Sequence, residues 1–450
     1  MGKRVIVVGG DAAGMSAASQ ARRANPGLDV MVLERGPHVS YGACGIPALV
    51  AGDIAAPEAL VALTPAAVAA RGIELRTDCE VVELRPAARQ VVARGGETWR
   101  YDYLVLATGA AAVRPSWAGG EPVGVVTIRS LQDGIDLRRW VDAATAQRAV
   151  VVGAGPLGLE LAEALARRGV DVSLVARAGQ LLSGFDATDV AAVTSALTAV
   201  GVRLLLGRTV ASLRLAAGRV AAVHTDQGEV AADLVILALG VRPATELAAR
   251  AGLALGAAGG LVVNDRMRTA TPGVYAAGDC VEVPHVVTGE RVLAPLALTA
   301  NRTGRIAGDN LAADSLGRAS TQRFRGSAGS LIAQVAGFTI ASVGLNAAQA
   351  AAAGFTAATF AREYHSRAAY YPGGRPFRVR IVVDRHTRRL LGAQMVGEEG
   401  VAGRIDVFAA ALHGRLTVED VYHLDLPYSP PYGPVYDPVI DICGRASLEL

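Results

Sequence analysis

Apolar residues are grouped into short unbroken runs, and several of these runs stop on glycine. Val5-Ile6-Val7-Val8 is too short for a helix and does not alternate, so it predicts a strand buried on both faces. It runs into Gly9-Gly10-Asp11-Ala12-Ala13-Gly14, then a small-residue segment of helical character, then a second buried strand over Asp29–Leu33. The same order returns at Ala149–Val152, Gly153-Ala154-Gly155-Pro156-Leu157-Gly158, a helix to Arg168 and a strand over Asp171–Val175. The chain therefore carries one βαβ unit twice.

Two further apolar runs, Tyr103–Gly109 and Leu234–Gly240, bracket the second copy. Arg114-Pro115 and Arg242-Pro243 follow them and read as hinges, so the second unit is expected to be inserted into the first. Beyond about Ser327 the pattern alternates like half-buried sheet over Ser330–Val335, Phe377–Val383 and Leu390–Val396. One helix near Arg404–Leu412 and a Pro-rich end complete it. The expected fold class is α/β, with two Rossmann-like dinucleotide-binding domains and a C-terminal α+β domain. Residues 1–115 with 245–326 form the first, 116–244 the second and 327–450 the third.

Composition narrows the function. A chain of 450 residues with 51% hydrophobic residues and a mean hydropathy of +0.33 can fill several cores. No apolar run is long enough to cross a bilayer. Met1–Arg4 leads straight into a strand without the pattern of a secretory leader, so a soluble, cytoplasmic protein is expected. A net charge of +3 gives no reason to expect nucleic acid as a partner. Lys3 is the only lysine, which excludes chemistry built on a buried lysine. The arginine excess fits phosphate binding and GC-rich coding alike, and the second explanation is favoured. Cys44, Cys79, Cys280 and Cys443 lie far apart, without metal-ligand spacing, so neither a metal site nor a structural disulfide is expected.

The two glycine loops carry the first chemistry. Gly153, Gly155 and Gly158 complete G-x-G-x-x-G between strand and helix, a turn whose helix N-terminus faces a pyrophosphate. Leu157 and Glu160 lie on that helix, and Gly240 closes the neighbouring strand. In the first loop Gly9 and Gly14 match, but Asp11 stands at the middle glycine. An acid facing pyrophosphate is repelled, so its side chain is expected to turn away or towards the ribose. Glu34, ending the second strand, is the acid expected on ribose hydroxyls, with Arg35 beside it. In the second unit this position is Ala176, followed by Arg177. Without the acid, and with an arginine able to pair a 2′-phosphate, NADPH or dual use with NADH is expected.

A third element, Thr269 to Asp279, is a strand ending in Gly278-Asp279, which can offer an amide and a carboxylate to a flavin. In this order and spacing the motifs resemble the pyridine nucleotide–disulfide reductase superfamily over the full chain. The resemblance implies a glutathione-reductase-like fold, bound FAD, NADPH or NADH as reductant, and a homodimer formed through the last domain. It places Gly9, Asp11, Ala12, Ala13, Gly14, Glu34, Arg35, Ser40, Ala107, Thr108, Gly109, Gly278, Asp279 and Ala297 at FAD. It places Gly153, Gly155, Leu157, Gly158, Glu160, Ala176, Arg177 and Gly240 at the nicotinamide coenzyme, with Glu160 near the nicotinamide.

Ser40-Tyr41-Gly42-Ala43-Cys44-Gly45-Ile46-Pro47 follows Glu34 by a short loop, so Cys44 is carried towards the flavin. Pro47 and the apolar run behind it read as a helix start, a setting that favours a thiolate. A buried, inert cysteine is the competing reading. No second cysteine follows within a few residues. The string resembles the single-cysteine branch, which includes coenzyme A disulfide, persulfide and polysulfide reductases, NADH oxidase and NADH peroxidase. Its oxidases and peroxidases carry a histidine just after the first flavin glycine, absent from Gly10-Asp11-Ala12-Ala13.

Tyr370-Tyr371-Pro372-Gly373 and Pro427-Tyr428-Ser429-Pro430-Pro431-Tyr432 are similar to strings of coenzyme A disulfide reductases. The resemblance implies that Tyr370 and Tyr428 reach the partner's Cys44 site, while Gln20, Arg23 and Ser40 contact coenzyme A. Ala43 departs from an asparagine found in some members. The implied cycle passes hydride from coenzyme to flavin and two electrons to a mixed disulfide on Cys44. Three alternatives stay open: an oxidase cycling Cys44 through sulfenic acid, a ferredoxin-type reductase not using Cys44, and a non-catalytic redox-sensing flavoprotein.

Overall fold

The computed structural model describes residues 2–320 and 322–450. Both βαβ units form. Arg4–Val8 is the centre of a parallel sheet, paired with Asp29–Leu33 on one side and Tyr103–Leu106 on the other. Ile73–Arg76 and Val274–Ala276 extend it at the two ends. Strands Val5–Val8 and Leu104–Leu106 are buried throughout, as unbroken apolar runs in an α/β sheet require. Ala13, Ala17, Ala18 and Ala21 of helix Ala12–Ala24 share this core with Ala300, Ala307 and Leu311 of helix Ala297–Ser315. Small side chains let the two helices approach closely.

The second sheet repeats the plan in the order Arg203–Leu206, Asp171–Ala176, Arg148–Val152, Leu234–Leu237 and Val125–Val126, all parallel. The chain enters and leaves it through one antiparallel pair, Ala110–Ala112 against Val241–Pro243, with the Val113 amide donating to the Gly240 carbonyl at 2.9 Å. This two-strand neck lies where the Arg-Pro dipeptides were read as hinges.

The third layer is an antiparallel sheet ordered Leu331–Val335, Phe338–Gly344, Leu390–Gly397, Pro376–Asp384 and Ala357–His365. Helix Ala402–Gly414 sets Ile405, Phe408 and Leu412 into the same core as Val379, Ile381 and Met395. An ion-pair cluster ties this sheet to the second domain. Asp189, 4% exposed, accepts from Arg378 at 2.8 Å and Arg380 at 2.6 Å. The amides of Asn346 and Gln394 both donate to the Gly184 carbonyl, at 3.0 and 2.7 Å. Among the described residues no helix is long and apolar enough to cross a membrane.

Candidate active site

The strand ends of the first sheet open onto a cavity of about 970 Å3. It gathers Gly9, Asp11, Ala12, Ala13, Glu34, Arg35, Ala107, Thr108, Gly109, Gly278 and Asp279 from segments far apart in sequence. Gly14, Ser40 and Ala297 are not on its wall. Gly14 packs beneath the loop, where an added Cβ would stand 1.8 Å from the Gly9 carbonyl oxygen. Ser40 holds the adjoining loop, and Ala297 starts the helix whose Ala300 reaches the cavity.

Glu34 is braced for its expected role. Its carboxylate accepts from the Gly10 amide at 2.7 Å and from the Gly36 amide at 2.8 Å. These bonds fix the acid at the strand end and still leave acceptor capacity for ribose hydroxyls. Asp279 is largely buried, and burial pushes its carboxyl up, while Arg129 opposes that shift. The Arg129 guanidinium donates to Asp279 at 2.5 Å and to the Ala110 carbonyl at 3.0 Å. Arg129 was missed in the sequence. Its signal was the capping box of Ser130 and Asp133, which starts helix Leu131–Asp142 and fixes the residue before it.

The cavity fits FAD on its own chemistry. Arg114 lines it, and its Nε and Nη2 atoms are buried with no hydrogen-bond partner among the described residues. An unpaired buried guanidinium needs an anion nearby. Arg114 had been read only as a hinge. Cys79 lies between Ile73–Arg76 and Val81–Arg85 and lines this cavity. Cys280 is fully buried beside Asp279, with its thiol donating a hydrogen bond to the Ala277 carbonyl.

The second loop shows why each glycine is there. Gly153 has φ +119°, and a Cβ on it would lie 2.2 Å from the Ala238 oxygen. A Cβ on Gly155 would meet nothing within 4 Å, which is the open face a pyrophosphate approaches. Ala176 is buried at the end of its strand, and Arg177 beside it is exposed. Glu160 faces the third domain, and burial raises its carboxyl to about 7. A second cavity, of about 760 Å3, begins at Gly155 and Pro156 and runs between Leu296 and Leu331.

Cys44 is exposed. It occupies a 3-10 turn, Ala43–Gly45, and the helix behind it, Ile46–Ala51, is only six residues long. The helix starts where Pro47 and the apolar run predicted it, at Ile46, and Cys44 stands two residues before it in the 3-10 turn. The loop that carries it hangs from the flavin phosphate loop: the Ser40 amide donates to the Gly10 carbonyl at 2.9 Å, and the Tyr41 amide to Asp11 Oδ1 at 3.3 Å. Ser40 adopts φ +49°, a left-handed conformation disfavoured for serine, which fixes the turn into this loop. Asp11 thus turns towards the Cys44 loop, which refines the expectation that it would turn away.

Gln20 and Arg23 share helix Ala12–Ala24, and Arg23 donates to the Gln20 side chain at 3.0 Å. Gln20 also donates to Asp309 at 2.7 Å. Tyr370 and Tyr428 meet each other, hydroxyl to hydroxyl, at 2.8 Å. They remain 74% and 43% exposed on the third domain, beside the exposed Tyr432 and Tyr436.

Two Rossmann-type units, one inserted in the other, with a cavity that fits FAD at the strand ends of the first and an exposed cysteine on a loop hydrogen-bonded to its rim, define a flavin- and nicotinamide-dependent oxidoreductase. The chain belongs to the pyridine nucleotide-disulphide oxidoreductase family, whose model matches residues 3–303. The family's dimerisation domain matches residues 333–437. The chain is 37% identical over 432 residues to the NAD(P)H coenzyme A polysulfide/persulfide reductase of Pyrococcus horikoshii, covering 96% of this chain and 95% of that one. Among solved structures it is similar to an NAD-dependent persulfide reductase from A. fulgidus, with a TM-score of 0.93 and 34% identity, covering 99% and 83% of the two chains. It is likewise similar to an engineered water-forming NADPH oxidase bound to NADPH, with a TM-score of 0.93 and 28% identity over 99% and 98%.

Proposed function

We propose that the protein is an FAD-dependent NAD(P)H oxidoreductase that reduces coenzyme A disulfide, or a related disulfide, persulfide or polysulfide, through Cys44. The observation that carries this is the placement of the exposed Cys44 on a loop hydrogen-bonded to the flavin phosphate loop, with no second cysteine within a few residues of it in the chain. When bound, FAD and the nicotinamide coenzyme supply the pair of electrons. The Cys44 thiolate attacks one sulfur of the substrate, forms a mixed disulfide and releases the other sulfur as a thiolate that takes a proton. Two electrons and a proton then free the second thiol and restore the Cys44 thiolate, so one disulfide yields two thiols. Tyr370 and Tyr428, presented on the domain that forms the homodimer, would donate hydrogen bonds to the departing sulfur across the subunit interface.

Gln20, Arg23 and Ser40 would hold coenzyme A. Ala176 and Arg177 favour NADPH, with NADH as a poorer reductant. In the engineered NADPH oxidase, the substitutions include an aspartate exchanged for alanine and, next to it, an alanine exchanged for arginine. The Ala176-Arg177 pair has the same order. That likeness also favours a second reading, an oxidase that reduces O2 through Cys44 sulfenic acid. Coenzyme oxidation assayed under argon with coenzyme A disulfide, and under air without it, separates the two. Turnover only under air would select the oxidase.

A further inference from the structure

Asp11 breaks the glycine pattern of the flavin loop, and the structure shows what it does instead. It is the N-cap residue of helix Ala12–Ala24, yet its side chain makes no capping bond. An aspartate at this position ordinarily accepts from the amides of the first helical turn. Here Oδ1 accepts from the Tyr41 amide, at 3.3 Å, in the loop that leads to Cys44. The amides of Ala13 and Gly14, which a capping side chain would engage, are thereby left for an anion at the start of a 13-residue helix. The cost is a carboxyl group on the wall of the same cavity, beside Gly10 and Ala12.

Two negative groups at one helix end cannot both stay ionised without repulsion in a site shielded from water. The charged groups facing Asp11 are Glu34 on one side and Arg129 on the other, and Tyr41 packs against it with its phenol pushed up by burial. Arg129 is already committed to Asp279. Asp11 is therefore not neutralised by a dedicated cation.

We propose that Asp11 is a positioning residue that is protonated when FAD is bound, its O–H donating to the flavin pyrophosphate while its other oxygen accepts from the Tyr41 amide, so that flavin binding takes up one proton and is bridged to the Cys44 loop. A glycine could make neither bond. Before flavin binds, burial holds the carboxyl at about 6, and the added pyrophosphate charge raises it further. Flavin affinity is then highest below that value. It weakens as pH rises towards the higher value of the complex, by up to about tenfold per pH unit. The proposal rests on the flavin reading of this cavity, which the FAD content of the purified holoenzyme tests separately.

The test is FAD release from the holoenzyme on dilution, followed by flavin fluorescence from pH 5.5 to 8.5, for wild type, Asp11→Asn and Asp11→Gly. The wild-type dissociation constant is expected to climb with pH. Asp11→Asn should be flat, and tighter than wild type at pH 8. Asp11→Gly, which restores the family glycine, should also be flat, and it gives the same answer if the asparagine variant folds poorly. Parallel pH profiles for wild type and both variants would overturn the proposal. Alkylation of Cys44 by iodoacetamide in the three holoenzymes reads the bridge. A rate altered in Asp11→Gly but not in Asp11→Asn supports it, and equal rates in all three refute it.

Discussion

Tyr370 and Tyr428 lie 58 positions apart in sequence and share a hydroxyl–hydroxyl hydrogen bond of 2.8 Å on an exposed face of the third domain. Only one of two paired hydroxyls can donate to the other, so the pair keeps one free O–H to present outward. That hydrogen bond holds the Tyr428 phenol above its ordinary range. It stays a neutral donor, as the proposed assistance to a departing thiolate requires.

Removing that donor should slow turnover more than binding. Tyr428→Phe is expected to lower kcat with coenzyme A disulfide by about 10- to 100-fold, the scale of one hydrogen bond to a charged group. The KM should change little. Tyr370→Phe should have a smaller effect, because Tyr428 keeps its own O–H. Steady-state kinetics under argon check both.

The proposed preference for NADPH rests on Arg177. Arg177→Ala should reduce kcat/KM for NADPH by about 10- to 100-fold through loss of a charge-assisted pair with the 2′-phosphate, and leave NADH nearly unchanged. An unaltered NADPH to NADH ratio would contradict the assignment.

Glu160 links stability to pH. Burial raises its carboxyl to about 7 from an ordinary 4.5, so the folded protein holds this proton more tightly than the unfolded chain. That contribution is fully present below 4.5 and is lost as pH rises to about 7. Glu160→Gln should therefore flatten this part of the pH dependence, and its relative stability against wild type should rise between pH 4.5 and 8. Urea midpoints at those two pH values, compared between the proteins, measure the change.

The ion-pair cluster between the second and third domains sets a different expectation. Asp189 is the shared acceptor of Arg378 and Arg380, and Asp189→Ala leaves two partly buried guanidinium groups without it. Loss of one partner of a buried pair costs about 3–5 kcal/mol. The variant should unfold at a visibly lower temperature, and calorimetry of the holoenzyme decides.

Much of this architecture was legible in the chain. Val5–Val8 and Ala149–Val152 could be read as buried parallel strands because they are unbroken apolar runs ending on glycine loops, and local pattern was enough. Glu34 was legible because the acid must stand at a fixed strand end. Arg129 and Arg114 were not, since an arginine in a loop shows no periodicity, and only tertiary contact gives Arg129 its Asp279 partner and Arg114 its place on the cavity wall. The Asp189 cluster joins residues about 190 positions apart, which no window along the chain reveals. The pairing of Tyr370 with Tyr428 was equally invisible; resemblance had put both near one site, and the fold put them in contact. Cys44 was found by its neighbours, but its seat in a 3-10 turn depends on bonds to Gly10, Asp11 and Leu60 that come from other strands and loops.

The most direct measurement is anaerobic NADPH oxidation with coenzyme A disulfide by wild type and Cys44→Ser, with flavin bleaching by NADPH recorded in the same samples. The serine variant should bleach normally, because no sulfur is needed to reduce the flavin. Its disulfide turnover should fall by at least about a thousandfold, as loss of a covalent nucleophile does. Disulfide reduction at the wild-type rate by Cys44→Ser would contradict the central role of this cysteine.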